Sequence, residues 1–405
     1  MNKEVYIIST GDIIAGRIAG AQRVMKIAKS LAEAGVQVFL CSLPYIHESK
    51  INSCEVASGI HILRSRPQKD DNRTRIAVFV KAIAEFILSR ESKPVVYLYP
   101  TTFVYKDFIY LIYFKFIKKI GFFCEINELR TAIALTKASS GNLLTKVWNI
   151  AKSLKDYLKY KANELQIPLY DGIVVISTAL EKRFSGVARR IIRIPILCDA
   201  DGIDDRAIPR LNPDTPFKIC FAGYIKYEKE GFNILYESLY LVKQNQSVEL
   251  YLYGKLEETD RILLERMATE YDLRSNVFYM GNIDPSELPD EFRKYNLLIL
   301  PRTLNKRTKF GFSTKLSEYL VSGIPILITD VSDNALYIKD GFNGYIVPPG
   351  SAQAMADKIQ KIIREYNWQS PEVVKNAYNT VREYFDYRLY SKAYSDFFWP
   401  QGQGQ

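Results

Sequence analysis

The sequence predicts an α/β chain built as two doubly wound parallel-sheet domains. Three observations lead there. Short β-rich runs alternate with helical patterns through the first two hundred residues. A polar, proline-containing break follows at 199–216, and after it the same alternation starts afresh. At 405 residues the chain is too long for one ordinary core. Its 47% hydrophobic and 25% charged content describes a folded chain rather than a disordered one.

The elements follow in order. Residues 5–9 read as a strand, and residues 20–34 as a helix with Val24, Ile27, Ala28 and Leu31 at helical spacing. Gly35 stops that helix and residues 36–42 form the next strand. Further strands are predicted at 59–64, 94–99, 122–126 and 172–177. The segment DADGIDDRAIPRLNPDTP (199–216) is acidic and poor in large apolar residues, so 201–216 reads as an interdomain linker. Beyond it come strands at 217–221, 248–253, 277–280, 297–300 and 325–329, with helices at 232–243, 259–271 and 314–321. Domains of 1–200 and 217–383 result, with ligands expected at the C-terminal strand ends, facing a cleft between the lobes. The aromatic stretch at 384–399 is expected to form a helix that crosses back onto the first domain, followed by a flexible tail, WPQGQGQ.

Composition narrows the function classes. Fifty-five Lys and Arg against 45 Asp and Glu leave a formal charge of +10, which favours anionic partners. Nucleic acid is set aside, because the basic residues are dispersed and no recognised binding module occurs. Cys41, Cys54, Cys124, Cys198 and Cys220 are scattered without a CxxC pair, so neither a disulfide framework nor a metal site is indicated. The opening MNKEVYIISTG carries an apolar run too short for a signal peptide, and a cytoplasmic location is expected. The run FIYLIYFKFIKKIGFF (108–123) is too short and too charged to span a bilayer. It is either a helix packed between layers or a basic amphipathic face on an anionic membrane surface. The lysines and aromatics of KVWNIAKSLKDYLKYK (146–161) add to the second reading, a peripheral contact at the inner face of the plasma membrane.

The segment STKLSEYLVSGIP (313–325) places Lys315 and Glu318 one turn apart near the start of a helix. Unpaired N–H groups and a nearby cation suit a phosphate there, and a carboxylate can hold two ribose hydroxyls. The plain alternative is a surface Lys–Glu pair. The loop PRTLNKRTKFGF (301–312) brings Arg302, Lys306, Arg307 and Lys309 toward the same end of the domain, unless it is simply a solvated basic loop. In the first domain, CEINELR (124–130) follows a strand and presents Glu125, Asn127 and Glu128. These can orient sugar hydroxyls or cap a following helix.

Around 313–325 stand FAGYIKYEKEGFNILYESL (221–239), LYLYG ending at Gly254, NVFYMGNI (276–283), LLILP ending at Pro301, and DGFNGYIVPPG (340–350). In this order and spacing the set resembles the retaining glycosyltransferase family 4, which has the GT-B fold. GRIAGAQRVMKIAKSLAEAGVQV (16–38) is similar to the family's acceptor-domain opening, and DGIVVIS (171–177) also matches. The resemblance implies a nucleotide-sugar donor, with UDP-sugar favoured over GDP-sugar, and a saccharide or lipid-linked saccharide acceptor. It implies transfer with retention in surface polysaccharide or glycolipid synthesis. Glu318 would bind the donor ribose, and Gly281, Asn282 and Ile283 the base. Lys229 would bind the diphosphate with Lys226 as fallback, and the loop at Gly20 would approach from the first domain. The donor is a substrate, and no cofactor is expected.

The chain departs from the family at three places. Phe310 stands where a second Glu is common, and Tyr224 follows Gly223 where an Arg is usual. Neither His47 nor His61 occupies the family's N-terminal-domain histidine position; His61, within a strand pattern, reads as a packed or edge residue. No Asp-x-Asp follows a strand at the donor site, so lysines rather than a metal are expected to neutralise the phosphates. A nucleotide-sugar epimerase of similar fold and a non-catalytic transferase subunit remain the alternatives.

Overall fold

The computed structural model describes residues 2–9, 11–14, 19–46, 50–65, 76–99, 104–134, 143–204, 206, 208, 210–212 and 214–400. Residues 15–18 of the expected glycine loop, His47, Asp70, Asp71, Asp205 and the closing residues 401–405 lie outside that set. Two compact units emerge, one of residues 1–197 with 387–405, the other of residues 198–386.

In the first unit eight strands form one sheet: β1 (Asn2–Ser9), β2 (Gln37–Ser42), β3 (Ile51–Ala57), β4 (Ile60–Ser65), β5 (Ser92–Leu98), β6 (Gly121–Ile126), β7 (Gly172–Val175) and β8 (Ile191–Arg193). Their order is β3-β4-β2-β1-β5-β6-β7-β8, parallel throughout except for the β3–β4 pair. Central strands such as β1 and β7 are buried along nearly their whole length, as covered parallel strands must be. The strand β3 escaped the sequence reading because INSCEVA lies on the antiparallel edge, largely exposed, without a clean alternation. His61 on β4 is packed as expected, its Nε2 2.8 Å from Gln37 Oε1 and its ring stacked on Phe39.

The chain end closes this unit. The segment from Tyr387 carries the helix Ser391–Phe398, and its Phe398 ring lies 4.8 Å from Phe123. Lys3 Nζ donates to Ser395 Oγ at 2.9 Å, and Arg190 donates to the Phe397 carbonyl at 2.8 Å. The aromatic stretch therefore packs on the first sheet, although the crossing starts a few residues later than expected.

Six parallel strands make the second sheet: β9 (Phe217–Ala222), β10 (Val248–Tyr253), β11 (Val277–Gly281), β12 (Leu297–Leu300), β13 (Ile326–Thr329) and β14 (Tyr345–Val347). Their order, β11-β10-β9-β12-β13-β14, is doubly wound with its reversal between β9 and β12. The expected linker 201–216 is no free tether. The Asp204 amide donates to the Val321 carbonyl at 2.9 Å, and the Leu211 amide to Asn367 Oδ1 at 2.7 Å. Specific polar partners hold this polar segment to the second unit.

The run at 108–123 divides its character. It spans the helix Val104–Tyr110, a wider π-helical turn Leu111–Ile117, and the start of β6. Tyr110, Leu111 and Phe114 are buried, whereas Phe108, Phe116 and Ile117 are exposed. Among the described residues no helix is long and apolar enough to cross a membrane.

Glu125 ties elements of the first unit together. Its carboxylate is wholly buried in an ion pair with Arg23, itself buried on the helix Ala19–Glu33. Tyr97 Oη donates to Glu125 at 2.5 Å, and Arg23 donates to the Pro195 and Ile194 carbonyls at 2.8 and 3.2 Å. Burial and the neighbouring Glu125 charge push the Tyr97 phenol well up, so it stays a neutral donor. At the end of β6 the Glu125 side chain is held by Arg23 and Tyr97, at the wall of a cavity that it also lines. Glu125→Gln would leave a buried guanidinium without its counter-charge, and about 3–5 kcal/mol of stability should be lost. Hydrogen exchange of the β5 and β6 amides reads this directly; protection unchanged from wild type would refute the assignment.

Candidate functional site

The donor-side constellation gathers at the β9–β12 reversal. Beyond Ala222 the chain enters Gly223 at φ +140°, then the short helix Tyr227–Glu230, then Gly231 at φ +72°. A Cβ on Gly223 would stand 2.0 Å from Lys315 Cε, so only glycine lets that side chain cross the strand end. Lys315 Nζ lies 4.2 Å from the centre of the Phe221 ring and 3.2 Å from Glu230. At Gly231 a Cβ would meet the Pro301 carbonyl oxygen at 2.0 Å. This close approach seats the chain leaving β12, and Arg302 Nε reaches Glu230 at 3.1 Å. Thr329 Oγ1 donates to the Arg302 carbonyl at 2.7 Å and fixes that backbone. Tyr319 Oη accepts from the Ala222 amide at 2.8 Å, tying the helix Thr314–Leu320 to the end of β9.

Three cations thus surround one buried carboxylate. Lys229 Nζ adds to Arg302 and Lys315 at 3.9 Å from Glu230, whose side chain is 2% exposed. Burial pushes this carboxyl up, but Arg302, Lys315 and Lys229 outweigh it and hold the value at about 2. Lys229 moves the other way: burial, then repulsion from Arg302, bring it down to about 8 despite Glu230. Burial also lowers Lys315, with Glu230 opposing. Two positive charges remain in excess, in a poorly solvated place at the C-terminal end of a parallel sheet. Such a place suits a dianionic phosphate group.

The other sequence-predicted residues fall variously. Glu318 is half-buried in the same helix as Lys315 and close enough to influence its charge. That helix has only seven residues, so side-chain cations rather than a helix dipole dominate the field. Gly281 ends β11 at φ +84°, its carbonyl accepting from the Gly254 amide at 2.7 Å; Asn282 is exposed and Ile283 half-buried. Lys309 is exposed on the short helix Lys306–Phe310 and joins no ion pair with Glu230. Lys226 is engaged elsewhere, 2.8 Å from both Glu257 and Asp260, and Tyr224 donates to Glu257 beside it. Glu230, which sequence reasoning did not single out, is the centre of the group. Its signal was an acid directly before a turn glycine in EKEG, which becomes legible only once Arg302 and Lys315 stand next to it.

In the first unit a cavity of about 340 Å³ opens at the C-terminal ends of the strands. Gly20, Tyr99, Asn127 and Glu128 line one side, and Tyr160, Asn163 and Glu164 another. Gly20, at the start of the helix Ala19–Glu33, faces the Tyr99 ring. Asn127 donates to Tyr99 Oη at 3.2 Å, while its Oδ1 is buried and unbonded within the protein. An amide oxygen with this environment can accept from a ligand hydroxyl.

Two doubly wound parallel sheets are the arrangement of the GT-B fold. Residues 204–380, within the second unit, match the family model described as Glycosyl transferases group 1. The GtfA subunit of the UDP-N-acetylglucosamine–peptide N-acetylglucosaminyltransferase of Streptococcus gordonii is 25% identical over 229 residues, 53% of this chain and 42% of that protein. The chain therefore spans less than half the length of that relative. Among solved structures, sucrose-phosphate synthase from Thermosynechococcus elongatus superposes with a TM-score of 0.70 at 17% identity, covering 98% of both chains. Anabaena HepE in complex with UDP and glucose gives 0.64 at 13% identity, covering 98% of this chain and 99% of that one. These likenesses agree with the expected fold and enzyme class.

Two predictions follow from the geometry. Gly223→Ala displaces Lys315, and diphosphate affinity should fall by tenfold or more, about one charge-assisted hydrogen bond; calorimetric titration checks it. Lys229 is charged below about pH 8 and neutral above, so nucleoside-diphosphate affinity should be full below that pH and decline as pH rises through it. A flat profile from pH 7 to about 9.5, or the same decline in Lys229→Met, would exclude Lys229 as the titrating group.

Proposed function

We propose that this chain transfers a glycosyl group from a nucleoside-diphosphate sugar, a UDP-sugar by preference, to a saccharide or lipid-linked saccharide acceptor. The observation that carries the reading is the Glu230-centred cluster of Lys229, Arg302 and Lys315 at the switch point of the second sheet. UDP in the HepE complex supports the choice of nucleotide. In the reaction the bond from the anomeric carbon to the diphosphate oxygen breaks, with its electron pair leaving on the phosphate. The acceptor hydroxyl oxygen bonds to that carbon from the same face, and its proton passes to the departing phosphate, so configuration is retained. Arg302, Lys315 and Lys229 stabilise the charge as it develops, the role a divalent metal would otherwise fill. Glu318 holds the ribose, and Gly281, Asn282 and Ile283 the base. Asn127 and Glu128 orient acceptor hydroxyls in the first unit. Synthesis of a surface polysaccharide or glycolipid, at the cytoplasmic face of a membrane, is the setting this chemistry fits.

Calorimetric titration of UDP, GDP, ADP and CMP tests the reading. UDP should bind, and Glu318→Ala should lose about 1.5–3 kcal/mol, as for a hydrogen-bonded charged partner. Arg302→Ala should weaken UDP comparably, whereas Lys226→Ala, already engaged by two acids, should change it little. If none of the four binds, the donor site is wrong. Nucleotide binding without sugar release from any UDP-sugar in EDTA would instead favour a non-catalytic subunit, and the anomer of any product, read by NMR, decides retention.

A further inference from the structure

The helix Leu143–Glu164 is amphipathic the wrong way round for a helix that packs on its own protein. Its polar side chains Tyr160, Asn163 and Glu164 line the cavity of the first unit, and Ser153 is buried. Its apolar side chains face water: Trp148 is 62% exposed, Leu154 55% and Leu158 59%, with Ile150 similar. At about 100° per residue, Ile150, Leu154, Leu158 and the exposed Ala151 fall within an arc of about 100°. Lys155, Lys159 and Lys152 occupy the adjoining strip of about 60°, with Trp148 among them and Lys152 over its ring at 5.0 Å. Asp156 and Glu164 both lie off this face, and Glu164 is engaged by Thr131, Lys161 and Arg183. Leu165 in the next turn is exposed too, as are Phe108 and Ile109 on the helix Val104–Tyr110 that packs alongside.

We propose that this face is a docking surface for an anionic lipid bilayer, lying in the plane of its interface. The leucines and Ile150 would enter the boundary between head groups and acyl chains. Trp148 would sit at head-group depth, and the lysines would extend to the lipid phosphates. Charge decides between occupants. A second copy meeting this face antiparallel through a two-fold axis would set Lys152 and Lys155 against their own copies, and the described acids of the helix, Asp156 and Glu164, lie off the face. An anionic membrane supplies the missing charge. The cavity then lies directly behind the docked helix, because the same helix walls both. That this cavity takes a lipid-linked acceptor rests on the transferase reading; the docking itself does not.

Cosedimentation of the full chain with vesicles of phosphatidylglycerol and phosphatidylcholine, against phosphatidylcholine alone, tests the surface at low salt. Wild type should pellet with the anionic vesicles. The Leu154→Glu, Leu158→Glu double variant should lose at least tenfold in partitioning while its UDP titration stays as wild type, which shows that it is folded. Replacing Lys152, Lys155 and Lys159 with Gln should cost about fivefold per lysine on anionic vesicles and nothing on neutral ones. Wild type remaining in the supernatant with anionic vesicles overturns the proposal. So does a dimer, seen by light scattering without lipid, that the leucine variant dissociates. UDP titration and sugar release in lipid-free samples report the transferase reading separately, so either can fail without the other.

Discussion

Glu230 keeps a negative charge where almost no water reaches it, and much of the second unit is arranged to allow that. Desolvation alone would protonate the group; Arg302, Lys315 and Lys229 reverse the balance and hold the carboxyl at about 2. The cations need it in turn, since crowded together without it they would repel one another. Each is delivered by a separate element: Lys229 by the turn after β9, Arg302 by the end of β12, Lys315 by the following helix. The strand order that places β9 beside β12 is therefore a precondition of the cluster. Gly223 and Gly231 are its local counterparts, because a side chain at either would occupy the space that Lys315 or Pro301 fills.

A cluster of this kind is stable but unsatisfied. One carboxylate cannot neutralise three cations, and the excess positive charge favours an anionic ligand. In the proposed transfer, groups already oriented toward developing charge would need no reorganisation as the glycosyl bond breaks. The neighbouring Lys226 shows the contrast. Paired to Glu257 and Asp260, it has its charge matched before any ligand arrives. Two lysines three residues apart are thereby given different work by the acids that surround them.

The first unit uses the same device for another end. Arg23 and Glu125 form a matched buried pair that joins the first helix to β6, and carbonyls of the chain after β8 satisfy the guanidinium. Two residues further on, Asn127 has an oxygen without a protein partner, at the wall of the cavity. Glu125 and Asn127 line the same cavity, the acid already paired within the protein and the amide oxygen not bonded among the described residues.

The sequence by itself determined the two-fold α/β division, most strands and helices, and the position of the unit that matches the family model. Hydrophobic periodicity and glycine punctuation are local properties, written in consecutive residues. β10, β12 and the helix Phe232–Lys243 end where periodicity places them. What periodicity could not show were the edge strand β3, half-polar and exposed, and the short strands β8 and β14. It also missed the long helix Ala352–Thr380, which runs on through Pro371. Only the tertiary structure decided which charges meet. Glu125 and Glu128 stand in the same short segment and line the same cavity, yet Glu125 is wholly buried in an ion pair with Arg23 while Glu128 is only half-buried; Lys226 and Lys229 share one turn and have different partners. The helix Leu143–Glu164 carries Leu154 and Leu158 outward and Tyr160, Asn163 and Glu164 to the cavity, an orientation no helical wheel contains. Electrostatic pairing and burial depend on distances between residues far apart in the chain, and those distances exist only after the sheets have formed.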